Sequence, residues 1–171
     1  MDSIFVQEEL PLEGLEPAGL RKVFAVWQDG AAGRPFCPRA DFRPERLGAD
    51  IYRIMLVERY PADSHEFRLR LVGAATEYPA LGLHGGRFVD EIQPAPYRDY
   101  LLHYYRSAFA APVPAFHRVD GRIEGRDVGY WRLTLPMSLA REHCDLLLIA
   151  VHKAPGTFSH SDRINQKTAS M

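Results

Sequence analysis

A length of 171 residues, with 46% hydrophobic and 25% charged side chains, predicts one globular domain with a substantial core. The formal net charge of −1 excludes a bulk pull toward nucleic acid or an anionic membrane surface. No apolar run approaches the roughly 20 residues of a bilayer-crossing helix. The opening MDSIFVQEELPLEGLEP is acidic where a secretory leader is basic, so a cytoplasmic protein is expected. The two cysteines, Cys37 and Cys144, form no CxxC pair and are expected as reduced thiols.

Residues 1–16 are acidic and turn-rich, and predict a loosely ordered, flexible N-terminus. A helix should begin near Pro17. Leu20, Val23, Phe24 and Trp27 then fall at i, i+3, i+4 and i+7, and Gly30 and Gly33 end the stripe. Such a stripe suits docking on its own domain, or a contact across a homodimer. Arg34-Pro-Phe-Cys-Pro-Arg-Ala-Asp-Phe-Arg-Pro44 reads as an extended linker, because its prolines exclude regular helix. The N-terminal helix and linker together span residues 17–50, ahead of a core at 51–153.

In the core, strands are expected at Ile51–Glu58 and Glu66–Gly73, joined by a turn carrying Pro61, Asp63 and Ser64. Phe67, Leu69 and Leu71 alternate with Arg68 and Arg70, the pattern of a half-buried strand. Short helical pieces are expected at Ala74–Leu81 and Arg87–Ile92, and the main helix at Tyr97–Phe109. Three strands follow at Val113–Val119, Gly129–Met137 and Asp145–His152, with hairpin signals at Asp120-Gly121 and Glu124-Gly125. In the second of these, Trp131, Leu133, Leu135 and Met137 share one face, and Tyr130, Arg132 and Thr134 the other. Leu146–Val151 is apolar without a break, as in a strand covered on both faces. Residues 154–171 are polar and aperiodic and predict a flexible tail. Two strands, helices and three strands make an α+β domain whose helices lie over one face of an antiparallel sheet.

The stretch Phe67-Arg-Leu-Arg-Leu-Val-Gly73, followed by Gly86-Arg-Phe-Val-Asp-Glu-Ile92, resembles the core of PAS domains. The Trp27 helix, the Arg34-Pro and Arg39-Ala-Asp-Phe42 linker and the later Leu135-Pro-Met-Ser138 resemble a bacterial single-domain PAS family, known mostly from alphaproteobacteria. The likeness covers about residues 20–153. It implies a five-stranded antiparallel sheet in the order 2-1-5-4-3 with helices on one face. It also implies a sensory or regulatory domain that acts in bacterial signal transduction through a protein partner or a small-molecule ligand.

The cofactor stays open. A photoactive flavin adduct is not expected, since Gly82-Leu-His-Gly-Gly-Arg-Phe-Val89 stands where that PAS type carries its cysteine. Haem would require an axial histidine on the long helix, and His103 fits that stripe poorly. His84, His117 and His152 lack metal-ligand spacing, so no metal is expected. A pocket between helices and sheet would be lined by Tyr78, Phe88, Leu101, Tyr104, Tyr105, Trp131, Leu133 and Leu148, although the same side chains also suit plain core filling.

No nucleophile elbow or phosphate loop occurs, and no catalytic residue is assigned. The alternative is a small cone-shaped α+β enzyme of the isomerase or dehydratase kind, which would need Asp90 and either His117 or His152 facing one cavity.

Overall fold

The computed structural model describes residues 5–60, 65–76, 81–139 and 143–154. The elements run β1 (Phe5–Leu10), α1 (Ala18–Ala31), β2 (Cys37–Pro38), β3 (Ile54–Arg59), β4 (Phe67–Val72), α2 (Ala95–Ala110), β5 (Ala115–Ile123), β6 (Arg126–Ser138) and β7 (Leu146–Lys153). A stretch of 3-10 turns, Pro44–Arg53, leads into β3. The turn residues Pro61, Asp63 and Ser64, the pocket candidate Tyr78 and the tail beyond Ala154 lie outside the described residues.

One sheet holds all seven strands in the order β1-β5-β6-β7-β3-β4, with β2 paired to the end of β6. Every pairing is antiparallel except β2 with β6, where Cys37 sits beside Met137. This corrects the expected five-stranded sheet: β1 and β2 join it, so the full order differs from the one stated, while the five expected strands run β4-β3-β7-β6-β5, which is 2-1-5-4-3. The extra edge strand is β1, which comes from the segment read as loosely ordered. Its register runs from Phe5 beside Gly121 to Leu10 beside Phe116. Backbone bonds to β5 hold it, so it needs no apolar alternation, and Val6, Glu8 and Glu9 stay exposed. Charged side chains on an edge strand also guard it against pairing with another chain.

The intervening helix α2 lies over one face, and the separately expected N-terminal helix α1 covers the other. The apolar run of β7 supplies the reason. Along a strand, successive side chains point to opposite faces. Leu146, Leu148 and Ala150 therefore join Leu20, Val23 and Trp27 of α1 in one core. Leu147 and Ile149 join Tyr97, Leu101, Tyr104 and Tyr105 of α2 in the other. β3 divides in the same way, with Ile54 and Leu56 on the α1 side and Met55 and Val57 on the α2 side.

The stripe offered as a dimer contact is thus used inside the chain. Leu20 and Val23 are fully buried and Trp27 is 6% exposed. The Trp27 indole Nε1–H donates to the Pro136 carbonyl at 2.9 Å, which ties α1 to β6. Phe24, half-buried, packs against the same core and stacks on Trp27. Helix α1 ends where Ala32 enters the left-handed region at φ 51°.

The β5–β6 hairpin turns at Glu124-Gly125, both left-handed at φ 51° and 75°, which matches the twist of the strands it joins. Asp120-Gly121, expected at that connection, lies within β5 instead. Gly121 has a different use: a β-carbon there would stand 2.4 Å from the Phe5 ring. The missing side chain lets Phe5 lie across the sheet and stack on Tyr100, with ring centres 4.9 Å apart.

Candidate functional site

Helix α2 packs on the sheet by Tyr97, Leu101, Tyr104, Tyr105 and Phe109. Beside that seam, Tyr100, His103, Tyr104, Ser107, Ala108 and Ala111 follow helical spacing and look toward β1, β5 and β6. The last three are small, so the C-terminal half of α2 cannot fill the space to the sheet. What remains is a cavity of about 420 Å³, open to solvent, a volume in the range of small-molecule sites. Phe5, Val113 and Ala115 give it apolar walls, and Gln7, His117 and Thr134 give it polar ones.

Beneath these walls lies Arg132, 2% exposed. Glu9, His117 and Arg132 form one row across β1, β5 and β6, and residues directly opposite share a face. Arg132 Nη1 donates to the Tyr100 hydroxyl at 2.9 Å, and Nη2 donates to Gln7 Oε1 at 2.9 Å. The Tyr100 hydroxyl in turn donates to the same Gln7 oxygen at 2.8 Å. The guanidinium carbon lies 3.3 Å from the centre of the Tyr104 ring, and the Tyr104 hydroxyl bonds Thr134 Oγ1. Among the described residues only two of the five guanidinium N–H groups find acceptors, and Nε has none. Among the described residues no carboxylate pairs with this cation. Glu9, on the same row, is exposed.

His117 is buried beside that charge, and its Nδ1 has no hydrogen-bond partner. Burial, then the Arg132 charge, hold its pKa below the ordinary imidazole value of 6.5, with Glu9 pulling weakly the other way. The unfolded chain therefore binds a proton here more readily than the folded one. Stability contributed at this position is complete above pH 6.5 and falls as the pH drops below it toward the folded value. Denaturant midpoints measured from pH 7.5 down to pH 5 should decline, and His117→Phe should flatten that decline. An equally steep decline in the variant would assign the effect to other groups.

Burial raises the Tyr100 hydroxyl above its ordinary pKa against the lowering influence of Arg132, so it stays a neutral donor. Burial also raises Tyr105 and Tyr130, so neither supplies an anion to Arg132. Both cysteines are free. Burial pushes each thiol up to about 11, which leaves them protonated and weakly nucleophilic.

Of the expected pocket residues that the structure describes, only Tyr104 lines this cavity. Leu101 and Tyr105 belong to the packed seam of α2. Leu133 and Leu148 sit in the α1 core, and Trp131 packs against it. The odd residues of β6 and the even residues of β7 face away from α2, so these cannot share a wall with Tyr104. Phe88 lies beyond the far edge, stacked on His65 at 3.9 Å and edge-on to Tyr60. Asp90 does hold a histidine, but it is His65, with Oδ2 2.7 Å from Nδ1. Neither Asp90 nor His65 lines the cavity that His117 does, and His152 lies against Trp131. The expected grouping of Asp90 with His117 or His152 does not form. His103 is exposed at the cavity rim. Among the described residues no three acidic, histidine or cysteine side chains group as metal ligands, and no helix is long and apolar enough to cross a membrane.

Sequence reasoning missed Arg132, Gln7 and Phe5. Arg132 had a visible signal, a cation between Tyr130 and Thr134 on a strand whose other face carries Trp131, Leu133, Leu135 and Met137. Gln7 and Phe5 had none. No family model, curated protein or solved structure matches the chain.

Proposed function

We propose that this chain is a PAS-type sensory or regulatory domain that binds a small molecule between α2 and the sheet. It signals through a protein partner and catalyses no reaction. The observation that carries the reading is the solvent-open cavity of about 420 Å³, walled by one helix and three strands and floored by polar groups. A concave groove of this size, with apolar walls and a few convergent polar groups, has the make-up of a small-molecule site.

The walls suggest how occupancy reaches a partner. Phe5 and Gln7 come from an edge strand held by β5 on one side only, while Tyr100 and Tyr104 come from α2. A ligand touching both biases how edge strand and helix sit on the sheet, which is a population shift. A partner, or a second copy, would read the β1 edge or the exposed side of α2, since the Trp27 stripe is buried. A cytoplasmic setting and a role in bacterial signal transduction belong to the same reading.

Native mass spectrometry of freshly purified protein tests it. A small molecule should accompany the folded chain and dissociate on denaturation. Ala108→Trp, which fills the groove from a half-buried helix position, should abolish that adduct without lowering the thermal midpoint by more than a few degrees. A parent chain that is empty, and stays empty against a metabolite library that Ala108→Trp serves to control, would remove the sensory reading.

A further inference from the structure

Resting on that reading of the cavity, we infer that its ligand is a small organic monocarboxylate, held through Arg132, the Tyr100 hydroxyl and His117. Burying a guanidinium without a counter-charge costs several kilocalories per mole in general, and interior cations are normally paired. Arg132 is buried, and among the described residues it leaves three N–H groups unused and has only neutral oxygens as acceptors. Beside it, His117 presents an unpartnered Nδ1 and lines the cavity itself. Two side chains, each more than nine-tenths buried, thus carry an unpartnered nitrogen, His117 Nδ1 on a residue of the cavity wall and Arg132 Nε beneath it.

Gln7 marks where the anion goes. Its amide oxygen accepts from both Arg132 Nη2 and the Tyr100 hydroxyl. That oxygen belongs to an exposed side chain on an edge strand, so it can swing out once another acceptor takes over its two hydrogen bonds. A ligand carboxylate entering the cavity replaces it with a charged acceptor, whose hydrogen bonds are roughly twice as strong as neutral ones. His117 in its Nδ1–H tautomer donates to the anion as well. Charge sets the class: one buried cation beside a neutral imidazole balances one negative charge, whereas a phosphate dianion would leave an excess. Phe5, Ala108, Val113 and Ala115 call for an apolar body behind the carboxylate.

Calorimetric titration of the full chain with phenylacetate and hexanoate, and with phenylacetamide, hexanamide and inorganic phosphate, tests the assignment. The carboxylates should bind roughly tenfold or more tightly than their amides, and more tightly than phosphate. Gln7→Glu, which puts a carboxylate of the chain at the same acceptor position, should raise the thermal midpoint and weaken phenylacetate binding roughly tenfold or more. Gln7→Ala, which vacates that position, should bind phenylacetate at least as well as the parent. Equal binding of acids and amides overturns the carboxylate assignment and leaves the cavity reading standing. Tighter binding of phosphate overturns the class, and loss of binding in Gln7→Ala overturns the acceptor position. No binding by either acids or amides overturns both the assignment and the cavity reading.

Discussion

Trp27→Ala should lose about 3–5 kcal/mol of stability, the range for truncating a large buried aromatic, while leaving the oligomeric state of the folded protein unchanged. Trp27 is nearly enclosed in the core between α1 and the sheet, and its indole N–H is the hydrogen bond from the helix to the Pro136 carbonyl. Removing it opens a void beside Leu20, Val23 and Leu148 and strands that acceptor. Against a total of about 5–15 kcal/mol for a domain of this kind, the loss is severe. Urea unfolding supplies the stability and multi-angle light scattering the mass. If the variant kept its stability but dissociated from dimer to monomer, the helix would be an interface after all, and the packing of α1 described above would be wrong.

The second large effect concerns Arg132, where truncation and isosteric replacement should part company. Arg132→Ala removes one of the largest fully buried side chains and should cost about 3 kcal/mol through the void it leaves. Arg132→Met fills most of that volume. It gives up two hydrogen bonds worth about 1.5–3 kcal/mol each and the contact with the Tyr104 ring, worth about 2 kcal/mol. It also relieves an uncompensated buried cation, a gain of several kcal/mol. These terms nearly cancel, so the Met variant should unfold within about 2 kcal/mol of the parent. Both variants should lose carboxylate binding by about a hundredfold, or about 2.7 kcal/mol. A Met variant as unstable as the Ala variant, still binding phenylacetate, would make Arg132 a structural strut with no part in recognition.

These two residues also show how far the sequence could be read. The Trp27 stripe announces an amphipathic helix through its spacing alone, because burial on one side of a helix imposes a 3.6-residue period. Spacing does not say what the stripe packs against. Intramolecular core and dimer contact want the same residues, and only the tertiary contacts separate them. Arg132 shows the converse. Its alternation with Trp131, Leu133 and Leu135 tells which side chains accompany it, but not that α2 and β1 roof that face and turn a charge into a buried one.

The residues expected to line one pocket are divided for the same reason. Aromatic and aliphatic residues in Tyr104, Trp131, Leu133 and Leu148 look alike as composition, yet the pleat sends the last three to the opposite side of the sheet from the first.

By itself, then, the sequence determined the local elements: the Leu20–Trp27 helix, the α2 segment, the alternating strands and the doubly covered run Leu146–Val151. Those follow from periodicity, which each segment carries within itself. Tertiary structure decided that Phe5–Leu10 pairs with β5, that helices cover both faces, and that Gln7, Tyr100 and His117 meet at one cavity above Arg132. These residues lie as much as 125 positions apart. Their meeting is set by backbone pairing across a sheet edge and by what small side chains leave unfilled, neither of which leaves a mark on the neighbouring sequence.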